Sequence, residues 1–417
     1  MMTDGANMKK HIVIALGDYY PTPSANGICV DKIVETFVEQ GFFVDIVANN
    51  TDGIKGQVKT ENKAIHFVEL PLIQRINKRL KRENTPVIKA ALLIVKKVLA
   101  LRLPLLKLIY PVTSRERCRV YEKRIRAVTG ENDVVAIIGV HKPMEAIYGA
   151  YRAAAMTDIP FFCYFLDPLV GGYHNRLINE RVIAENTENY EKELISASMK
   201  TIYMSSHYSN VVHRYKNGVK DKLVFLGPPL LKEYNYSKER INNADKKVVV
   251  YAGSVYEDIR NPQYIMQVFK NVKKARLEMF IPEPEEWVYQ YENENIEIHD
   301  GISHAEMVEK LEDADVLLNI GNSTAVFIPS KIIEYISMKK PIISTYRIDE
   351  DPCRLYMETY PNSLSIDERR LGIEEAAKEV DRFVMQRPIS ITFDDLKDCF
   401  YINTPEAFVE TVVNCIV

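Results

Sequence analysis

The chain has 417 residues, 47% hydrophobic and 27% charged, which excludes a disordered chain or a fibre and exceeds what one core comfortably holds. Its net charge of −3 hides an asymmetry: Arg75 to Arg126 carries 16 Lys and Arg against 3 acids, a local +13 that leaves −16 elsewhere. The six cysteines (Cys29, Cys118, Cys163, Cys353, Cys399, Cys415) form no CxxC pair, so they predict reduced thiols and neither a zinc cage nor a disulfide framework.

Met1 to Lys10 is polar and the apolar run after it, His11 to Leu16, is short, so no signal peptide is expected. No stretch reaches the ~20 apolar residues of a membrane helix. His11–Leu16 predicts a buried parallel strand. A loop with Pro21, Pro23 and Gly27 follows. Val30, Ile33, Val34 and Phe37 then recur at helical spacing, with Gly41 as the stop, and Phe43–Val47 predicts the next strand. This is a βαβ unit. Further strands are expected at Val134–Ile138, Phe161–Phe165, Thr201–Met204 and Lys222–Phe225.

Gly227-Pro228-Pro229 is a stiff extended segment and marks the expected linker. Beyond it the alternation resumes: strands at Lys247–Ala252, Arg276–Ile281, Asn295–His299, Val316–Ile320 and Pro341–Ser344, helices at Pro262–Val272, Ala305–Asp313 and Ser330–Met338. Two βα trains predict an α/β chain of two Rossmann-like domains facing each other across a cleft. The expected boundaries are 1–228 and 229–395, with 396–417 as a tail whose helix, Pro405–Ile416, returns to the first domain.

In open α/β sheets ligands bind beyond the carboxyl ends of strands. After Val316–Ile320 come Gly321, Asn322 and Ser323, then a helix start at Pro329-Ser330-Lys331 with Glu334 one turn in. A helix N-terminus with a lysine suits a diphosphate, and Glu334 suits a ribose diol. Ser330 reads equally as a plain N-cap and Glu334 as an acid complementing the helix dipole. After Lys247–Ala252 come Gly253 and Ser254, then Arg260 seven residues past the glycine. A phosphate can approach the backbone at a glycine, and Arg260 can reach its oxygens, though an ordinary solvated arginine fits the spacing too. In the first half His141 follows its strand in "GVHKP" and Asp167 follows its strand in "YFLDP". Each reads either as a catalytic group or as a structural one, Asp167 as an Asx cap beside Pro168.

The run "NIGNSTAVFIPSKIIEYISMKKPII" resembles the donor-binding segment of B-type (GT-B fold) glycosyltransferases, above all the family 4 group of bacterial surface-polysaccharide synthesis. The likeness covers roughly Val248 to Ile343. The first half is similar through its opening strand, its "PTPSANG" loop and the helix that follows. The resemblance implies an acceptor-binding first domain and a nucleotide-sugar-binding second domain. It assigns the donor to Gly253, Arg260 and Glu334 and sets His141 near the sugar and acceptor; the strand-end reading adds Gly27, Ser254, Asn322, Ser330 and Lys331 on the donor side and Asp167 as the second catalytic candidate. The resemblance also implies a hexosyl transfer that retains anomeric configuration, to a lipid-linked or polysaccharide acceptor. Two positions depart from the family: Val326 stands where a second glutamate precedes Glu334 by eight residues, and Ser254 replaces the arginine after the glycine.

Leaving-group charge falls to helix N-termini, Lys and Arg, so neither a metal nor another cofactor is expected. Asp349-Glu350-Asp351 reads as a solvated acidic loop. Inversion, with Asp167 or His141 as base, stays open. The segment Arg75–Arg126 mixes cations with apolar residues in "PVIKAALLIVKKVLALRLPLLKLIY". It predicts a basic amphipathic helix at an anionic membrane surface, with Leu92, Leu93, Val95, Leu99 and Leu103 entering the interface. The other reading is a helix packed into the domain with a solvated basic face. Nucleic acid is not expected, since no groove-reading motif is present. The expected location is the cytoplasm, peripherally on the inner face of the cell membrane. Competing functions are a nucleotide-sugar 2-epimerase of the same fold and a non-catalytic membrane-bound partner.

Overall fold

The computed structural model describes residues 9–100, 110–170, 180–215, 219–234, 246–325, 329 and 331–416. The chain divides into two compact units, one of Met1–Pro229 with Pro405–Val417 and one of Leu230–Thr404.

In the first unit the strands are β1 (His11–Ala15), β2 (Phe43–Asn50), β3 (Gln57–Lys59), β4 (Lys63–Glu69), β5 (Val134–His141), β6 (Phe161–Phe165), β7 (Lys200–Met204) and β8 (Leu223–Leu226). The helices between them are α1 (Ala25–Glu39), α2 (Leu72–Arg82), α3 (Pro86–Ala100), α4 (Arg115–Glu131), α5 (Met144–Thr157), α6 (Glu180–Ala197) and α7 (Tyr208–Val212). Among the described residues the sheet runs β3-β4-β2-β1-β5-β6-β7-β8. Only β3 is antiparallel to its neighbour there. Continuous apolar runs make this possible: Ile12, Val13 and Ile14 of β1 and Ile137 and Ile138 of β5 are covered on both faces. Ser24 caps α1 by accepting the Gly27 N–H at 3.2 Å.

The second unit holds β9 (Lys247–Ala252), α8 (Gln263–Phe269), β10 (Ala275–Ile281), α9 (Glu286–Tyr289), β11 (Ile296–Asp300), α10 (His304–Asp313), β12 (Val316–Ile320), α11 (Lys331–Ser337), β13 (Ile342–Tyr346), α12 (Cys353–Thr359), β14 (Ser363–Asp367), α13 (Ile373–Val384) and α14 (Phe393–Cys399). Its sheet order is β11-β10-β9-β12-β13-β14, with every pairing parallel. This is the doubly wound order, and the strand order reverses between β9 and β12. The last helix, α15 (Pro405–Val413), belongs to the first unit: it packs on α1, and Phe408 sits 4.7 Å from the Tyr164 ring.

The basic segment divides in two, which corrects the expectation of one surface helix. Its far end is α4, where Arg117, Cys118, Tyr121 and Ile125 are buried in the first core. Its near end is α2 and α3, and α3 exposes most of its surface. Val87 is 78% exposed, Ile94 62% and Val98 57%. With Ile88, Ala91 and Val95 they form one apolar stripe at helical spacing, while Lys89, Lys96 and Lys97 lie on the other side. Leu92 and Leu99 are half-buried instead of leading the stripe, and Leu103 lies outside the described residues. Among the described helices none is long and apolar enough to cross a membrane.

Candidate functional site

At the point where the strand order of the second unit reverses, a cavity of about 340 Å³ opens. Tyr251, Ala252, Gly253, Ser254, Tyr256 and Arg260 line it from the β9 side. Leu318, Asn319, Ile320, Pro329, Lys331 and Tyr335 line it from the β12 and α11 side. Gly253 adopts φ +156°, and a Cβ there would lie 3.2 Å from the Tyr251 hydroxyl. Only glycine takes that backbone without strain and keeps the cavity floor open. Its N–H is spent on Phe280 O at 3.0 Å. Ser254 accepts the Tyr251 hydroxyl at its carbonyl, 2.9 Å away.

The segment after Gly253 is a closed hairpin. Tyr256 and Arg260 exchange backbone hydrogen bonds, both 3.0 Å. It is stapled to the loop after β12, where the Ser323 N–H donates to Ile259 O at 2.8 Å and the Ser323 hydroxyl donates to Asp258 O at 2.7 Å. The Arg260 Nε donates to Asn322 Oδ1 at 3.0 Å. Asn322 joins the group through its bond to Arg260, and Glu334 through its electrostatic influence on Lys331. Burial lowers the Lys331 ammonium below its ordinary value, Glu334 pulls it back up, and Arg260 pushes it down further. Lys331 is thus a largely desolvated cation in a cavity that Arg260 also lines. Of the expected donor residues of this unit, Ser330 alone lies outside the described residues.

Asp351 corrects the reading of the acidic run as solvated. It is only 2% exposed, it accepts the Cys353 N–H at 2.8 Å, and burial raises its carboxyl above the usual range against the pull of Arg260. Asp349, by contrast, is exposed and paired with Arg369 at 2.7 Å. Among the described residues no three His, Cys, Asp or Glu side chains come together as a metal cage.

In the first unit the parallel strands deliver their ends to one edge. His141 closes β5 and is 5% exposed, with Nδ1 3.3 Å from Asp167 O. Burial first, then the Lys142 charge, lowers His141 to about 4, so it is a neutral imidazole at physiological pH. Lys142 Nζ pairs with Asp167 Oδ2 at 3.3 Å. Asn26 on α1 donates to His141 O at 3.1 Å. Gly27, one residue on, has its N–H bound by Ser24.

Sequence reasoning missed two groups here. Lys142 was legible only as the residue after His141. His207 follows β7 in "MSSHY", a signal of the same kind as "GVHKP". It is 1% exposed, burial lowers it to about 4 against the pull of Asp167, and its Nδ1 has no partner among the described residues.

No family model matches the sequence, and no curated protein is similar to it. Solved structures do share its architecture. TarM is 8% identical and matches 99% of this chain and 100% of its own at a TM-score of 0.61. The apo form of WaaB, a lipopolysaccharide outer core galactosyltransferase, is 12% identical over 97% of this chain and 99% of its own, at 0.58. HepE from Anabaena, in complex with UDP and glucose, is 9% identical over 97% of both chains, at 0.53. Together with the two parallel sheets, these likenesses establish that the chain has the GT-B fold of the B-type glycosyltransferases.

Proposed function

We propose that the chain is a hexosyltransferase that moves a sugar from a nucleotide-sugar donor to a lipid-linked or polysaccharide acceptor in bacterial surface-glycan synthesis. The observation that carries this reading is the pair Arg260 and Lys331. Both line the cavity at the strand-order reversal, and a diphosphate bound there would offset the loss of solvation that lowers the Lys331 ammonium. UDP bound in HepE supports a nucleotide donor of this class.

In this reading Gly253, Ser254 and Asn322 shape the phosphate side, Ser330 serves the diphosphate as the sequence reading expects, and Glu334 takes the ribose. As the donor bond breaks, negative charge grows on the leaving diphosphate, and Arg260 and Lys331 stabilise it without a metal. His141 and Asp167 are the first unit's groups for the acceptor, with the Gly27 loop beside them. A neutral His141 can accept or donate a hydrogen bond to a sugar hydroxyl without carrying charge. Transfer with retention fits a site in which Asp167 is held in an ion pair with Lys142. The exposed apolar stripe of α3 supports a peripheral position for the enzyme, on the inner face of the cell membrane.

Incubation with a panel of nucleotide sugars tests the reading. Nucleotide release that requires an acceptor is expected. A changed sugar without release would mean epimerisation, and no nucleotide-sugar binding at all would mean a non-catalytic protein.

A further inference from the structure

We propose that a cavity of about 630 Å³ at the β3–β4 edge of the first unit binds acceptor sugar units that lie beyond the one being glycosylated. The inference rests on the transferase reading and names its acceptor class as an extended oligosaccharide.

Position is the first argument. Asn50 and Glu69 line the cavity, and they are the last residues of β2 and β4. Because β4, β2, β1, β5 and β6 are parallel, these ends share one sheet edge with His141 and Asp167. From β4 to β5 is three strand steps and to β6 four, so the cavity stands about 14–19 Å from those groups at about 4.8 Å per step. An acceptor presenting its end sugar to His141 and Asp167 reaches the cavity only as a chain of several sugars.

The cavity is also built. Asn50 is buried, its Oδ1 accepts the Ile54 N–H at 2.8 Å, and its Nδ2 donates to Ile54 O at 3.0 Å and to Glu69 Oε1 at 3.1 Å. The loop over the cavity is thereby fixed to the end of β4. Lys78 on α2 holds the same loop through Thr51 O at 2.9 Å. Asp45 accepts from both His11 and His66, at 2.6 and 2.8 Å, which locks the His66 ring that faces the cavity.

Lining chemistry chooses the ligand. Lys55, Arg124, Gln57, His66 and Glu69 offer donors and acceptors together, two cations beside one carboxylate, an amide and an imidazole. A phosphate would call for cations alone, as at Arg260 and Lys331. Sugar hydroxyls donate and accept at once and suit a mixed lining. The volume lies in the range of clefts that enclose small ligands.

The test is binding of the full chain to immobilised linear oligosaccharides of increasing length from the glucan, galactan, mannan and N-acetylglucosamine series, beside titration with nucleoside diphosphates. Binding is expected to rise with chain length. It is expected to fall about tenfold or more in Gln57→Ala/Arg124→Ala while nucleoside diphosphate affinity holds. Both side chains are exposed, so the fold tolerates their loss. Monosaccharides bound as tightly as long chains, unchanged binding in the double variant, or no oligosaccharide bound would each overturn the proposal. Failure of the wild type to bind any nucleoside diphosphate counts against the transferase reading instead, and leaves the oligosaccharide result readable.

Discussion

The phenol of Tyr234 donates a hydrogen bond of 3.2 Å to Oε1 of Glu334, so the segment that opens the second unit holds the carboxylate of α11 in place. The same segment is tied down by the Lys232 N–H, 3.2 Å from Ser337 Oγ, and Lys232 Nζ sits 4.2 Å over the Tyr234 ring. One carboxylate oxygen is thereby held by the phenol. Without the phenol, Glu334 turns toward the Lys331 ammonium, whose charge it already supports. Tyr234→Phe should weaken nucleoside diphosphate binding by about 1 kcal/mol and Glu334→Ala by about 1–3 kcal/mol. Calorimetric titration of both variants checks this, and wild-type affinity in folded Tyr234→Phe would sink it.

Arg260 is aimed by Asn322, whose Oδ1 holds its Nε at 3.0 Å. Phosphate charge grows as the leaving group departs, so Arg260→Ala should lower kcat more than it raises KM. Asn322→Ala leaves the guanidinium present but loosely held and should show the same pattern at smaller size, about 1–2 kcal/mol in kcat/KM. Steady-state kinetics at varied donor concentration separates the two constants. A pure KM effect in both variants would show that these residues bind the donor without favouring the transition state.

Acid should destabilise the first unit in a defined window. His141 and His207 are both lowered to about 4 in the fold, mainly by burial, from an ordinary value of 6.5. The unfolded chain therefore takes up protons first as pH falls. The contribution is fully present above about 6.5 and is lost on the way down to 4, at up to about 3 kcal/mol per histidine. The urea midpoint should fall between pH 6.5 and 4.5, and His207→Gln should flatten that slope. An unchanged slope in the variant would place the acid sensitivity elsewhere.

Legibility followed the apolar runs. β1, β9 and β12 are mainly apolar strands buried on both faces, and the carboxyl ends of β9 and β12 pointed to Gly253 and Asn322 from the sequence alone. β4 escaped because its run, Lys63–Glu69, carries His66, whose polarity is satisfied only by Asp45 on the neighbouring strand. The run Asp349–Asp351 misled for the same reason. Three acids in a row look solvated, but Asp351 finds its partners in the Cys353 backbone and the Arg260 charge, neither visible as a local pattern. His207 carried the same signal as His141, a histidine after an apolar strand, and what the sequence did not show is its burial and the influence of Asp167.

The apolar stripe of α3 carries the last prediction. Val87, Ile88, Ala91, Ile94, Val95 and Val98 share one exposed face, and Lys89, Lys96 and Lys97 lie on the other side. A 15-residue helix spans about 22 Å, too short to cross a bilayer and well suited to lie in its surface. Each stripe side chain gains about 1–2 kcal/mol on leaving water, and the lysines on the far side of the helix add a weaker attraction to an anionic surface, reduced by distance and screening. The full chain should therefore pellet with phosphatidylglycerol vesicles and far less with phosphatidylcholine vesicles. Added salt should weaken binding without abolishing it, because only the lysine part is screened. Ile94→Glu/Val98→Glu should abolish it while leaving nucleoside diphosphate affinity intact, since both positions are exposed and their change leaves the core untouched. Ile94→Trp offers a direct readout, a blue-shifted emission on anionic vesicles as the indole enters the interface. Vesicle binding that survives the double glutamate variant, or no pelleting at low salt, would show that α3 covers a protein partner instead of a lipid surface.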